Sequence, residues 1–115
     1  GLNNQLWVFD LNLHLWTHPS VRGNLPSARK NHVASLVGEN MFVYGGCDET
    51  TSLDDVYYLC TKTLVWYCST ISGNHPEPRW GHCASEINNT QFSYGGKTDS
   101  GTSSEVYALA TKPLE

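Results

Sequence analysis

Apolar residues along this chain fall in short runs rich in aromatic and β-branched side chains, at 6–9, 15–17, 32–37, 41–44, 56–59, 64–67, 83–87, 91–94 and 106–109. Gly, Pro, Asn, Asp and Ser cluster between them, and no run sustains a helical period. That combination predicts short β-strands separated by turns. Only three residues join some neighbours (38–40 and 61–63), so consecutive strands are expected to pair antiparallel as a meander.

The pattern repeats. Shifting the chain by fifty residues places Trp16 on Trp66, Pro26 on Pro76, Arg29 on Arg79, His32 on His82, Ala34-Ser35 on Ala84-Ser85, and Tyr44-Gly45-Gly46 on Tyr94-Gly95-Gly96, with no gap. A third partial copy appears as LWVF (6–9), VYYL (56–59) and VYAL (106–109), all in one register. Each unit then holds four strands. A four-stranded antiparallel sheet recurring every ~40–50 residues is the plan of a β-propeller blade, which buries its faces against neighbouring blades. Small Ala34-Ser35 and Ala84-Ser85 suit an inner strand beside a crowded axis, and Trp16 and Trp66 suit outer strands that splay and leave volume to fill.

The paired glycines after an aromatic strand (Gly45-Gly46, Gly95-Gly96), followed by Tyr57 and Tyr107 and by the tryptophans Trp16 and Trp66, resemble kelch repeats. GNLPSARKNHVAS (23–35) and GNHPEPRWGHCAS (73–85) carry Pro, Arg and His at constant offsets, similar to kelch proteins with P-x-x-R-x-x-H ahead of the inner strand rather than to those attached to BTB modules. The resemblance implies an all-β fold of kelch-type propeller blades. Residues 1–28 would supply the outer strands of one blade and a linker, 29–78 a complete blade and linker, and 79–115 the first three strands of the next. Roughly two and a half blades is less than a ring of about six or seven needs. The expectation is a fragment of a longer propeller, or copies that self-associate through open blade edges.

Charge narrows the partners. With a net charge of −4 and only 7 Lys plus Arg, none in a basic run, the chain does not look built for nucleic acid or for an anionic membrane. No stretch approaches the ~20 apolar residues of a membrane span. Cys47, Cys60, Cys68 and Cys83 form no C-x-x-C, so buried thiols in the cytoplasm are expected rather than a zinc clip or redox pair. Secretion is the alternative, if a signal peptide lies outside these residues; the sequon Asn88-Asn89-Thr90 would matter then.

Candidate chemistry is sparse. Gly96-Lys97-Thr98 mimics the end of a phosphate-binding loop, but Gln91 stands where its first glycine belongs and turn-like residues follow where a helix must start. The glycine pairs read instead as places where a strand stops abruptly. His32 and His82, one per unit, read as hydrogen-bonded strand histidines before they read as a base or metal ligands. Arg29 and Arg79 either bridge loops by pairing with Asp55 or Glu105, or reach a partner.

Antiparallel strands put the long segments 17–31, 67–81, 47–54 and 97–104 on one face and the tight turns on the other. Long variable loops are where recognition concentrates. The expected function is therefore recognition of a protein or peptide through Arg29, Lys30, Asp48, Glu49, Arg79, Trp80, Lys97 and Asp99, with Trp80 beside Arg79 as the leading hot spot. The enzyme alternative comes from the family, which includes copper oxidases and iron-dependent proteins that direct thioglucoside breakdown. Neither their regular Glu, Asp and His spacing nor a Tyr-Cys-His set is visible here, so no catalytic residue, metal or cofactor is expected.

Overall fold

The structure, a computed structural model, describes residues 2–74 and 76–110; His75 and the last five residues of the third expected blade lie outside the described residues. Every described element is a strand. β1 (Val8–Asp10) and β2 (Leu15–Thr17) form a hairpin, then β3 (Arg22–Gly23) crosses to the next unit. That unit is built from β4 (Val33–Val37), β5 (Asn40–Tyr44), β6 (Val56–Cys60) and β7 (Val65–Cys68). β8 (Cys83–Ile87) and β9 (Thr90–Tyr94) begin the last unit, the small hairpin β10 (Lys97–Thr98) and β11 (Gly101–Thr102) rises from its long loop, and β12 (Val106–Ala110) follows.

The predicted meander is present. β4 to β7 pair antiparallel in chain order, and β8, β9 and β12 repeat the first three strands in the same register, so Ser35↔Phe42 becomes Ser85↔Phe92 and Phe42↔Tyr58 becomes Phe92↔Ala108. One pairing of the central sheet goes beyond the expected plan. β3 adds parallel to the outer edge of β7, with Gly23 opposite Trp66, so the central sheet has five strands. A side chain at Gly23 would collide with the Trp66 carbonyl oxygen at 2.2 Å, which is why this close approach needs glycine.

The core has two sides, one on each face of the central sheet. Val43, Leu59 and Trp66 pack on Leu6, Val21, Met41 and Tyr57, while Val37, Phe42, Tyr44 and Val56 pack against Ile71 and Leu109. Burial thus comes from the adjacent unit. Trp66 is 4% exposed and its repeat mate Trp16 65%, because the β1–β2 hairpin has no inner strands beside it among the described residues. Phe42 and Tyr44 are buried, whereas Phe92 and Tyr94 stand in the open. The assignment of Trp16 to a filled outer volume is corrected accordingly.

The seam between units runs through the glycines. Gly45 and Gly46 have φ of 71° and 95°, and a Cβ on Gly45 would meet the Arg79 carbonyl oxygen and the His82 ring, each at 2.9 Å. The Gly46 amide donates to the Arg79 carbonyl at 2.8 Å, and the Arg79 amide donates to Leu53 at 3.1 Å. The Gln91 amide reaches across to the Ser35 hydroxyl at 2.9 Å. His32 and His82 lie just before their strands rather than within them. His82 is buried and edge-on to the Tyr44 ring at 5.0 Å, while His32 is exposed; the expectation of two equivalent strand histidines is corrected, since only His82 has a preceding complete sheet to pack on.

The two arginines follow the repeat closely. Arg29 donates to the Gly45 carbonyl at 3.1 Å, to both Asp55 carboxylate oxygens, and to Ser27, with Tyr57 under its guanidinium at 5.6 Å. Arg79 copies this with the Gly95 carbonyl at 3.0 Å, Ser103 Oγ at 3.3 Å and Tyr107 at 5.1 Å, but its carboxylate, Glu105, is longer and more remote at 3.9 Å. Each guanidinium ties the end of one strand to the start of the next. A buried cation left without its carboxylate is costly, whereas a long exposed pair contributes little.

Two predictions test these seams. Asp55→Ala should lower unfolding free energy by about 2–4 kcal/mol, and Glu105→Ala by less than about 1 kcal/mol, as read by urea denaturation. Burial, aided by the Arg79 charge, lowers the His82 pKa below its usual 6.5, and partial desolvation with the Arg29 charge lowers that of the more open His32 in the same direction. The unfolded chain takes up these protons first. Stability should therefore be full above pH 6.5 and fall as the pH drops below it. His82→Gln should flatten that dependence between about pH 7 and 5; a slope identical to the parent's would refute the assignment.

Candidate functional site

Repeated backbone pairing builds the long-loop end. Lys30 and Cys47 exchange amide-to-carbonyl bonds at 3.0 and 2.9 Å, and Trp80 and Lys97 do the same at 3.0 and 2.8 Å, so each linker clips to the long loop of its own sheet. Asp48 opens a tight turn in which its carboxylate accepts from the Thr50 and Thr51 amides at 2.9 and 2.7 Å. Those bonds hold its pKa below the usual carboxylate value. In the last unit the loop takes another form, because Lys97-Thr98 pairs with Gly101-Thr102 as a hairpin and Thr98 Oγ1 donates to the Gly101 carbonyl at 2.9 Å. A β-hairpin after Gly96 is the opposite of the helix that a phosphate loop requires.

The tight turns gather at the other end. Thr61 donates its amide and hydroxyl to the Glu39 carbonyl at 2.9 and 2.7 Å, and Lys62 pairs with the Glu39 carboxylate at 2.7 Å. The two ends therefore differ as expected, one of short tight turns, the other of long irregular loops.

At the long-loop end, a shallow cleft of about 360 Å³ opens between the two units. Lys30, Asp48 and Glu49 line one side and Trp80 and Asp99 the other, joined by Cys47. Five of the expected contact residues thus converge on one place. Lys97 is beside them, its ammonium over the Trp80 ring at 5.6 Å from the centroid, a geometry that fixes the indole plane. Arg29 and Arg79 do not join the cleft. The two residues are only 7% and 1% exposed, and their guanidiniums make the internal contacts described above, so they are corrected from contact residues to supports.

The cleft carries three carboxylates against one lysine, plus a half-buried indole, which suits a binding surface with mixed polar and aromatic character. Its remaining members are Asn31 and, from the loop expected only as a whole to carry contacts, Thr50, Thr51 and Ser52. Their signal was the Asp-x-Thr-Thr turn pattern, which fixes a local loop shape. Among the described residues, no three His, Cys, Asp or Glu side chains stand close enough to hold a metal ion, and the four cysteines are unpaired.

Comparison with known proteins accords with this architecture. A family model described as the KLHDC2/KLHL20/DRC7 Kelch-repeats domain matches residues 1–115. Kelch domain-containing protein 3 of Bos taurus is 37% identical over 68 residues, 57% of this chain and 18% of that protein. Kelch domain-containing protein 1 of Mus musculus is 33% identical over 67 residues, 57% of this chain and 16% of that protein. Acyl-CoA-binding domain-containing protein 4 of Arabidopsis thaliana is 33% identical over 63 residues, 55% of this chain and 9% of that protein. Each match covers less than a fifth of the relative's length. The glycine pairs, the paired arginine and histidine positions and the four-strand meander have the same explanation: the chain belongs to the kelch-repeat family.

Proposed function

We propose that this chain is a protein-recognition module whose ligand, a protein or peptide, docks across the long-loop end. The observation that carries the proposal is the convergence of Lys30, Asp48, Glu49, Trp80 and Asp99 on one cleft, although they come from loops up to seventy residues apart. The sheets below supply rigidity: side-chain identity at the cleft varies between units while the backbone clips do not. Rigid support with adaptable loops is how binding surfaces are commonly presented.

Trp80 is the energetic centre of the proposed contact. An indole presents a large apolar area at low conformational cost, and Lys97 limits the orientations it can take. Around it the carboxylates of Asp48, Glu49 and Asp99 select against acidic ligands and favour ligands with basic or amide groups. A reducing cytoplasm is the proposed setting, where four unpaired thiols are stable.

Partner capture with the full chain as bait tests the proposal. Trp80→Ala should weaken capture of the retained partner by about tenfold or more, the loss typical of a buried aromatic hot spot. Asp48→Asn with Glu49→Gln should change its salt dependence, and Lys62→Ala on the opposite end should leave it intact. Equal loss on Lys62→Ala, or none on Trp80→Ala, would overturn the choice of face.

A further inference from the structure

Each linker clip is continued by a further strand. Cys47, opposite Lys30, is also opposite Ser52, and Lys97, opposite Trp80, is also opposite Thr102. Directly opposed residues set their side chains on one face, so Lys30, Cys47 and Ser52 form one row and Trp80, Lys97 and Thr102 form its repeat mate. Only the second of these rows has a cation at its centre. Lys97 spends its amide and carbonyl on Trp80 at 2.8 and 3.0 Å, and the next bond toward the other strand runs from the Ser103 amide to the Gly96 carbonyl at 2.9 Å. Lys97 and Thr102 therefore face each other without a main-chain bond between them, the position at which opposed side chains come closest.

The hydroxyls of this loop divide by what already holds them. Thr98 is buried and donates to the Gly101 carbonyl. Ser100 donates to the Glu77 carboxylate at 3.2 Å, and Ser103 accepts from Arg79 at 3.3 Å and donates to Glu105 at 3.4 Å. Thr102 and Ser104 are exposed. Asp99 stands three residues before Thr102 and Glu105 three after it, both exposed, whereas Ser104 has Gly101 and Tyr107 at those offsets. Ser52 has acids at the same offsets, Glu49 and Asp55, but it is half-buried and Asp55 is held by Arg29. Thr102 is thus an open hydroxyl flanked by two carboxylates on a hairpin of only two residue pairs, a charge pattern suited to an enzyme with a basic groove for an extended substrate.

We propose that Thr102 is a phosphorylation site for an acid-directed protein kinase, and that its phosphate switches Trp80 by drawing Lys97 off the indole. The reaction moves the γ-phosphoryl group of ATP. Its bond to the departing ADP oxygen breaks, a bond to Thr102 Oγ1 forms, and the hydroxyl proton passes to the catalytic carboxylate of the kinase. The product adds about −2 of charge and three acceptor oxygens beside Lys97. An ammonium-to-phosphate bond is stronger than an exposed contact between an ammonium and a ring, so Lys97, now 5.6 Å from the Trp80 centroid, turns to the phosphate. A basic group of a ligand can then take the vacated indole face. That last consequence rests on the recognition reading above; the modification and its effect on Lys97 do not.

The test incubates the full 115-residue chain with ATP and an acid-directed casein kinase. Mass spectrometry should place a single phosphate on Thr102 and find none on Thr102→Val. Asp99→Asn and Glu105→Gln should each slow incorporation about tenfold, the loss of one charge-assisted contact. In NMR spectra the Trp80 ring should shift the Lys97 side-chain protons upfield; Trp80→Ala should relieve that shift, and phosphorylation should relieve it likewise. The phosphate should take its second negative charge at a lower pH than in the Lys97→Gln chain, where no ammonium favours the dianion. No incorporation, or equal incorporation by Thr102→Val, would overturn the site. Lys97 protons that show no Trp80-dependent shift, or keep it after phosphorylation, would overturn the switch. All of these readings are made without a partner, so they can fail while Trp80 remains a recognition hot spot, and hold if it is not.

Discussion

A buried guanidinium organises each unit. Arg29 is held by the carbonyl of Gly45, the carboxylate of Asp55 and the ring of Tyr57, and these three groups belong to the end of one strand, the approach to the next and that next strand itself. Removing a guanidinium from water is tolerable only when nearly all of its donors are met, so the arginine dictates where those three pieces of chain must be. Gly45 can present its carbonyl there because it turns at positive φ. The glycine pair and the arginine are two halves of one device, and neither has a chemical role outside it. Arg79 repeats the device with weaker partners, since Ser103 and the distant Glu105 stand where one close carboxylate serves Arg29.

Much of this was legible beforehand. The fifty-residue register located nine of the strands, each to within about two residues, because alternation and turn chemistry act locally. The parallel addition of β3 was not legible: two residues, Arg22 and Gly23, carry no strand pattern and are held by the edge they meet. Nor was the β10–β11 hairpin, whose Lys-Thr-Asp-Ser-Gly-Thr run looks only like a turn. Repeat mates with identical residues can differ sharply in burial, as Trp16 and Trp66 or His32 and His82 demonstrate. Identity fixes what a residue can do, while burial depends on whether a neighbouring sheet is there to cover it.

The candidate cleft was legible as a region, and residue type misled within it. Arginine and tryptophan side by side at 79–80 read alike as contact residues, yet adjacent positions on an extended backbone point to opposite sides, one inward to Gly95 and one outward to the cleft. The periodic evidence favoured the inward reading for arginine, which recurs, and the outward one for tryptophan, which replaces Lys30. Position in the repeat was thus a better guide than side-chain chemistry.

The linker clips carry a last consequence. Lys30 and Cys47, and then Trp80 and Lys97, are joined by the same pair of main-chain bonds, so two different pairs of side chains occupy two matching brackets. Nothing in such a bracket reads the group it displays. A lineage could therefore exchange a lysine for an indole, or a thiol for an ammonium, without renegotiating the strands underneath, and the outer chemistry of each unit is free to diversify while its scaffold stays under selection for stability.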